Sequence, residues 1–177
     1  MNLDVLKENK KTIVGMGIGI LVGIIGLLLF RNILIFTVFL VVTMVFNFFQ
    51  SRMQLPFDLS PSMALLILFS IKLGFMEGMV FLILGSIVPS IIGGGANHMT
   101  LFFFLLAMGV SYLGSLSLII NLRIYGIILI VVQSIFGYII IKFFSDDPTD
   151  FLSIFLGLFV NIGYFLILTE LIAGILT

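Results

Sequence analysis

The stretch TIVGMGIGILVGIIGLLLFRNILIFTVFLVVTMVFNFF, residues 12–49, decides how many times this chain crosses a bilayer. It is apolar throughout and interrupted only at Arg31-Asn32, with no Pro or Gly between the two halves. As one helix it would run about 57 Å at 1.5 Å per residue, nearly twice a bilayer core about 30 Å thick. Two helices joined by a tight turn at Arg31-Asn32 fit better, and one long, tilted helix is the alternative.

Further apolar runs follow at 59–75, 77–93, 100–121, 124–144 and 151–174. They are continuous rather than alternating, so they read as helices and not as barrel strands. The composition agrees. Of 177 residues 62% are hydrophobic and 9% charged, against about 45–50% and about 25% in an ordinary soluble domain. Eight Lys+Arg balance eight Asp+Glu. No long like-charge run exists, which excludes a disordered tail or a nucleic-acid-binding arm. The expected fold is an all-α, polytopic transmembrane bundle of six or seven helices. Residues 1–11 form a cytoplasmic N-terminal segment, and residues 12–177 a single helical domain embedded in the cell membrane.

Orientation follows Lys and Arg. Lys7, Lys10 and Lys11 place the N-terminus in the cytoplasm. Seven helices add Arg52 and Lys142 to that side and leave Arg31, Lys72 and Arg123 outside. Six helices instead put Lys72 and Arg123 inside, with Arg52 and Lys142 outside. The first hydrophobic segment lacks a small-residue cleavage site and reads as an anchor that stays.

Within a bilayer, polar side chains are expensive and should face protein or a cavity. Gln133 falls near the middle of one long segment and Asn161 near the middle of the last, with Tyr164 on the face of Asn161. Ser86, Ser90 and the helix-bending Pro89 share an earlier segment. The loop Ile92-Gly93-Gly94-Gly95-Ala96-Asn97-His98 frees its backbone to expose N–H groups, and Asn97 and His98 add donors and acceptors. It reads as a ligand-binding loop or as a flexible turn. Asn97, His98, Gln133, Asn161 and Tyr164 are the candidate substrate-binding residues. Gly15, Gly19 and Gly23 lie four apart on one face, a small-residue pattern for close helix packing within the chain or against a partner. Ala107, Ser111 and Ser115 make a second such stripe. Lys72 and Glu77 flank a Gly-interrupted junction that is either a tight hairpin or a re-entrant, site-forming region.

Catalytic equipment is sparse. Cysteine is absent and there is one His, so no thiolate nucleophile, disulfide or multi-His metal site is expected. Asp146-Asp147-Pro148-Thr149-Asp150 spells a pattern that can hold Mg²⁺ against a diphosphate. Pro148 disfavours the required geometry, however, and no second acidic motif or basic cluster accompanies it. A solvated loop with Asp150 capping the last helix is the preferred reading. The expectation is a protein that is not an enzyme and carries no metal or cofactor.

From Gln50 to Gly114 the pattern of Gly, Pro and Asp in apolar sequence resembles a known superfamily. Leu55-Pro56-Phe57-Asp58-Leu59-Ser60-Pro61, then an apolar helix, then Gly74, Gly78 and Gly85, resembles the S components of energy-coupling-factor (ECF) transporters. The same stretch, continuing through Gly93–Asn97 to Gly109, Tyr112 and Gly114, is similar to the rod-shape protein MreD family. The resemblance implies a six-helix core. For an S component it implies a small-molecule (vitamin or metabolite) ligand between outer loops and later helices. A membrane coupling subunit with two ATPases would be the partner, docked on the Gly15/Gly19/Gly23 face. For an MreD-like protein it implies a non-catalytic scaffold in a cell-shape complex. The superfamily has the Asp58 loop outside, which agrees with six helices and not with seven.

Overall fold

The computed structural model describes residues 30–55, 58–118, 121–144, 148–172 and 174–176, without the side chains of His98 and residues 148–150. Residues 1–29, which include the N-terminal lysines and Gly15, Gly19 and Gly23, lie outside the described residues. The chain divides into two compact units, Met1–Ile35 and Phe36–Thr177.

The described residues form six helices and no strand: α1 (Arg31–Met53), α2 (Ser62–Lys72), α3 (Phe75–Gly93), α4 (His98–Ser115), α5 (Leu122–Phe144) and α6 (Pro148–Ile172). Four of them, α1, α3, α5 and α6, are long and apolar enough to cross a membrane. The sequence expectation of six or seven spans is therefore met in part. α1 starts at Arg31, where a break was expected, and Phe30 before it is a bend.

Of the described helices, α2 and α4 fall short, α2 by the wider margin. Its 11 residues rise about 17 Å, roughly half a bilayer core. The apolar run 59–75 overstates its length because Leu59 and Ser60 belong to the preceding loop and Pro61 is the N-cap. Every residue from Met63 to Phe69 is apolar, so no face of the helix suits water. Met63 to Ser70 are all buried, and α2 packs against α3, α4, α5 and α6. It is the axis of the core.

Small residues set the close approaches around it. Ser70 and Ser111 share a hydrogen bond of 2.8 Å. A Cβ on Gly78 would fall 2.2 Å from Ser70 Oγ and 2.6 Å from Ser111 Oγ. The Ala107/Ser111 stripe thus packs α4 within the chain, with both residues buried. The α2–α3 connection is a tight hairpin. Gly74, at φ +121°, takes a conformation that side chains disfavour, and Lys72 and Glu77 are exposed beside it. On the other flank Phe165 is fully buried against Gly126, joining α5 to α6. At that flank Glu170 of α6 pairs with Arg123 of α5 at 3.0 Å.

α6 begins at Pro148, a residue suited to the first helical turn. Asp150 therefore lies inside that turn and is not its N-cap, which corrects the sequence reading.

A polar cavity as the candidate functional site

The site is framed by a fault in α3. Pro89 has no N–H, so the carbonyl of Gly85, four residues earlier, loses its helical donor. The helix widens into a π turn at Ile83–Ile87. Asn47 of α1 supplies the missing donor, its Nδ2 lying 2.7 Å from Gly85 O and 2.7 Å from Ser62 Oγ. From Ser62 the polar contacts continue to Ser60 Oγ at 2.7 Å. The Ser60 N–H in turn donates to Asp58 Oδ1 at 2.8 Å, an Asx turn that opens α2. Gln50 of α1 closes the frame: its Nε2 donates to Asp58 Oδ1 at 3.2 Å, and its Oε1 accepts the Leu59 N–H at 3.3 Å.

The glycine loop has a structural role that its composition did not separate from ligand binding. A Cβ on Gly93 would lie 2.7 Å from Ser51 Cβ and 2.9 Å from Phe48 O, and one on Gly95 2.9 Å from Ser51. Both glycines let the loop press on α1. Gly94 ends α3 in the left-handed conformation at φ +80°. Asn97 then caps α4 in a capping box, its Oδ1 accepting from Thr100 N while Thr100 Oγ1 accepts from Asn97 N.

These elements surround a cavity of about 340 Å³ between the Asp58 loop, the start of α4, and the middle of α5 and α6. Its polar wall comprises Asp58, Asn97, Thr100, Gln133, Ser134, Ser153 and Asn161; Met99, Phe103, Ile141, Ile154 and Leu158 supply apolar surface. A second lobe of about 190 Å³ shares Asp58, Thr100, Phe103 and Gln133 and reaches Ser62 and Ser86 beside the π turn. Asp58 and Asn97 are exposed, and Asn161 is 7% exposed. The polar surface thus runs from an exposed end towards the middle of the two long helices.

Three of the five sequence candidates, Asn97, Gln133 and Asn161, converge on this cavity. Tyr164 is half-buried and does not line it, and the side chain of His98 lies outside the described residues. Asp58, Thr100, Ser134 and Ser153 were missed as site residues. Asp58 carried a signal in the Asp-x-Ser turn, but Ser153 had none beyond being a polar residue in an apolar run. Asn47 was missed because its partner carbonyl belongs to another helix.

No protein-family model, curated protein or solved structure matches the chain.

Chemically, the cavity offers hydrogen bonds and one carboxylate. Asn161 Nδ2 donates to Gly157 O at 2.8 Å, while its Oδ1 is buried with no partner. Gln133 has no hydrogen bond among the described residues. No group of three or more His, Cys, Asp or Glu side chains among them could hold a metal ion. A volume near the lower end of small-molecule pockets, with apolar walls and a few convergent polar groups, suits a metabolite-sized ligand.

Proposed function

We propose that this chain is an integral membrane subunit that binds a small molecule for transport. It acts in the manner of the ECF S components its Gln50–Gly114 stretch resembles, and depends on partner subunits for energy. The observation that supports this reading most is the convergence of Asp58, Asn97, Gln133 and Asn161, from four separate parts of the chain, on one cavity. Polar residues far apart in an apolar sequence meet there, where lipid-facing positions would be far more costly. On this reading the Asp58–Asn97 end faces outside and the Lys72 and Arg123 ends face the cytoplasm. Chemistry and energy come from partners.

The test is recovery of the ligand. Protein purified in mild detergent would be denatured and the released small molecules identified by mass spectrometry, beside an Asn161→Leu control. One compound enriched in the native protein and lost from the control is the expected result. No bound compound, together with co-purification of cytoskeletal or wall-synthesis proteins, would replace the proposal with an MreD-like scaffold.

A further inference from the structure

We infer that the cavity selects ligands that donate hydrogen bonds and are cationic or neutral, and that it rejects anions. The inference rests on the reading of the cavity as a ligand site and adds the ligand's chemical class.

The first support is the balance of charge. Asp58 is the one charged side chain among the described residues that line the cavity. Its Oδ1 receives the Ser60 N–H and the Gln50 amide, both neutral donors. The ion pair among the described residues, Arg123–Glu170, belongs to the opposite ends of α5 and α6. Arg52 and Lys142, basic residues of the Asp58 end, are exposed and do not line the cavity. Asp58 therefore makes no ion pair with a described residue. The N-terminus of α4 also borders the space and carries the opposite sign. A helix terminus amounts to about half an elementary charge, however, and falls short of a full carboxylate.

The second support is independent of charge. Because Asn161 Nδ2 is held by Gly157 O, the orientation of its amide is decided and the oxygen is the atom left over. That oxygen is buried, unpartnered and part of a residue lining the cavity. A buried acceptor is costly to leave unpaired, and only a donor satisfies it. A carboxylate or a dianionic phosphate has acceptors alone and would leave Asn161 Oδ1 unpaired while approaching Asp58. An amine, amidine, amide or polyol can donate to Asn161, exchange hydrogen bonds with the Gln133 amide and, if cationic, pair with Asp58.

The native chain has no cysteine, so a single introduced thiol reports on the cavity alone. Ser153→Cys, with Ser134→Cys as a second probe of the wall, would be reacted in neutral detergent with methanethiosulfonates. The aminoethyl (cationic), methyl (neutral) and sulfonatoethyl (anionic) reagents would be compared, each rate normalised to a free thiol. A charge in a cleft with low-dielectric walls changes encounter rates by about tenfold or more. The cationic reagent should exceed the anionic one by at least about that factor, and Asp58→Asn, which keeps the Asx-turn acceptor, should bring the ratio close to unity. Equal or faster anionic labelling overturns the inference and leaves the ligand-site reading standing. Failure of every reagent at both positions, while Ala96→Cys on the exposed loop labels normally, overturns the ligand-site reading and the inference with it.

Discussion

Asn47 and Asn161 are each 7% exposed, yet their surroundings make opposite demands. Asn47 donates to Gly85 O and Ser62 Oγ and lies 3.4 Å from Ser86 Oγ, whereas Asn161 makes one local bond and leaves its oxygen unpaired. Leucine at position 47 orphans a buried carbonyl and should destabilise the protein by about 1–3 kcal/mol, read from chemical unfolding in detergent. The Pro89→Ala change restores an N–H for Gly85 O. In that background the same Asn47→Leu substitution should lose at least about half of its effect, and an unchanged loss would remove Asn47 as the carbonyl's replacement donor. Asn161→Leu should be neutral or stabilising by up to about 1 kcal/mol while ligand binding disappears, because it removes an unsatisfied acceptor. A loss of stability as large as that of Asn47→Leu would instead make Asn161 a structural residue. Periodicity could place both asparagines in apolar helices. It could not say which one had found its partners.

At the scale of elements, the attachment of α1 is narrow. Phe36 packs on Phe69 and Phe81, with ring centroids 5.1 and 6.0 Å away, and Thr43 and Asn47 are buried further along. Val38, Val41, Val42, Val45 and Phe49 are more than half exposed. These five stand at i, i+3, i+4, i+7 and i+11, one face of a helix. At its far end α1 meets the glycine loop, and here the glycines differ. Gly94→Ala places a methyl in open space at φ +80°, a conformational penalty of about 1 kcal/mol. Gly93→Ala drives a methyl into Ser51 and the α1 backbone and should cost more, about 2–3 kcal/mol. Thermal unfolding distinguishes them. Ser51→Gly should recover part of the loss from Gly93→Ala and none from Gly94→Ala. The three glycines were conspicuous in the sequence, but a helix some forty residues earlier supplied the reason for two of them.

At the scale of the molecule, the outer surface of the described residues is rich in large apolar side chains. The large hydrophobic side chains left exposed on α1, α3, α5 and α6 have no place in water, and four helices long enough to span a membrane carry them. These are the features of an integral membrane protein. α4 begins after Ala96 and ends before Leu118, and both residues are exposed in connections. It falls outside the four longest apolar helices, but its 18 residues cover about 27 Å, close to the thickness of a bilayer core. Single cysteines at Ala96 and Leu118 should therefore react with impermeant reagents from opposite faces of sealed vesicles. Labelling of both from one face would contradict the arrangement of α4.

Composition by itself determined an all-helical chain suited to a bilayer, since a chain with so few charges has no polar coat for water and its backbone groups must be satisfied within helices. The sequence also marked Gln133 and Asn161, because polar groups in long apolar runs are conspicuous. Which of these residues meet was decided by tertiary structure alone. α2 proved to be a short enclosed axis, about half the length of a full span. Around it, Asn47 was drawn to a carbonyl released by Pro89, and Asp58 and Asn97 were brought to the same cavity as Gln133 and Asn161. Helical periodicity assigns a residue to a face, but packing between helices decides which faces come together, and the candidate site exists only where they do.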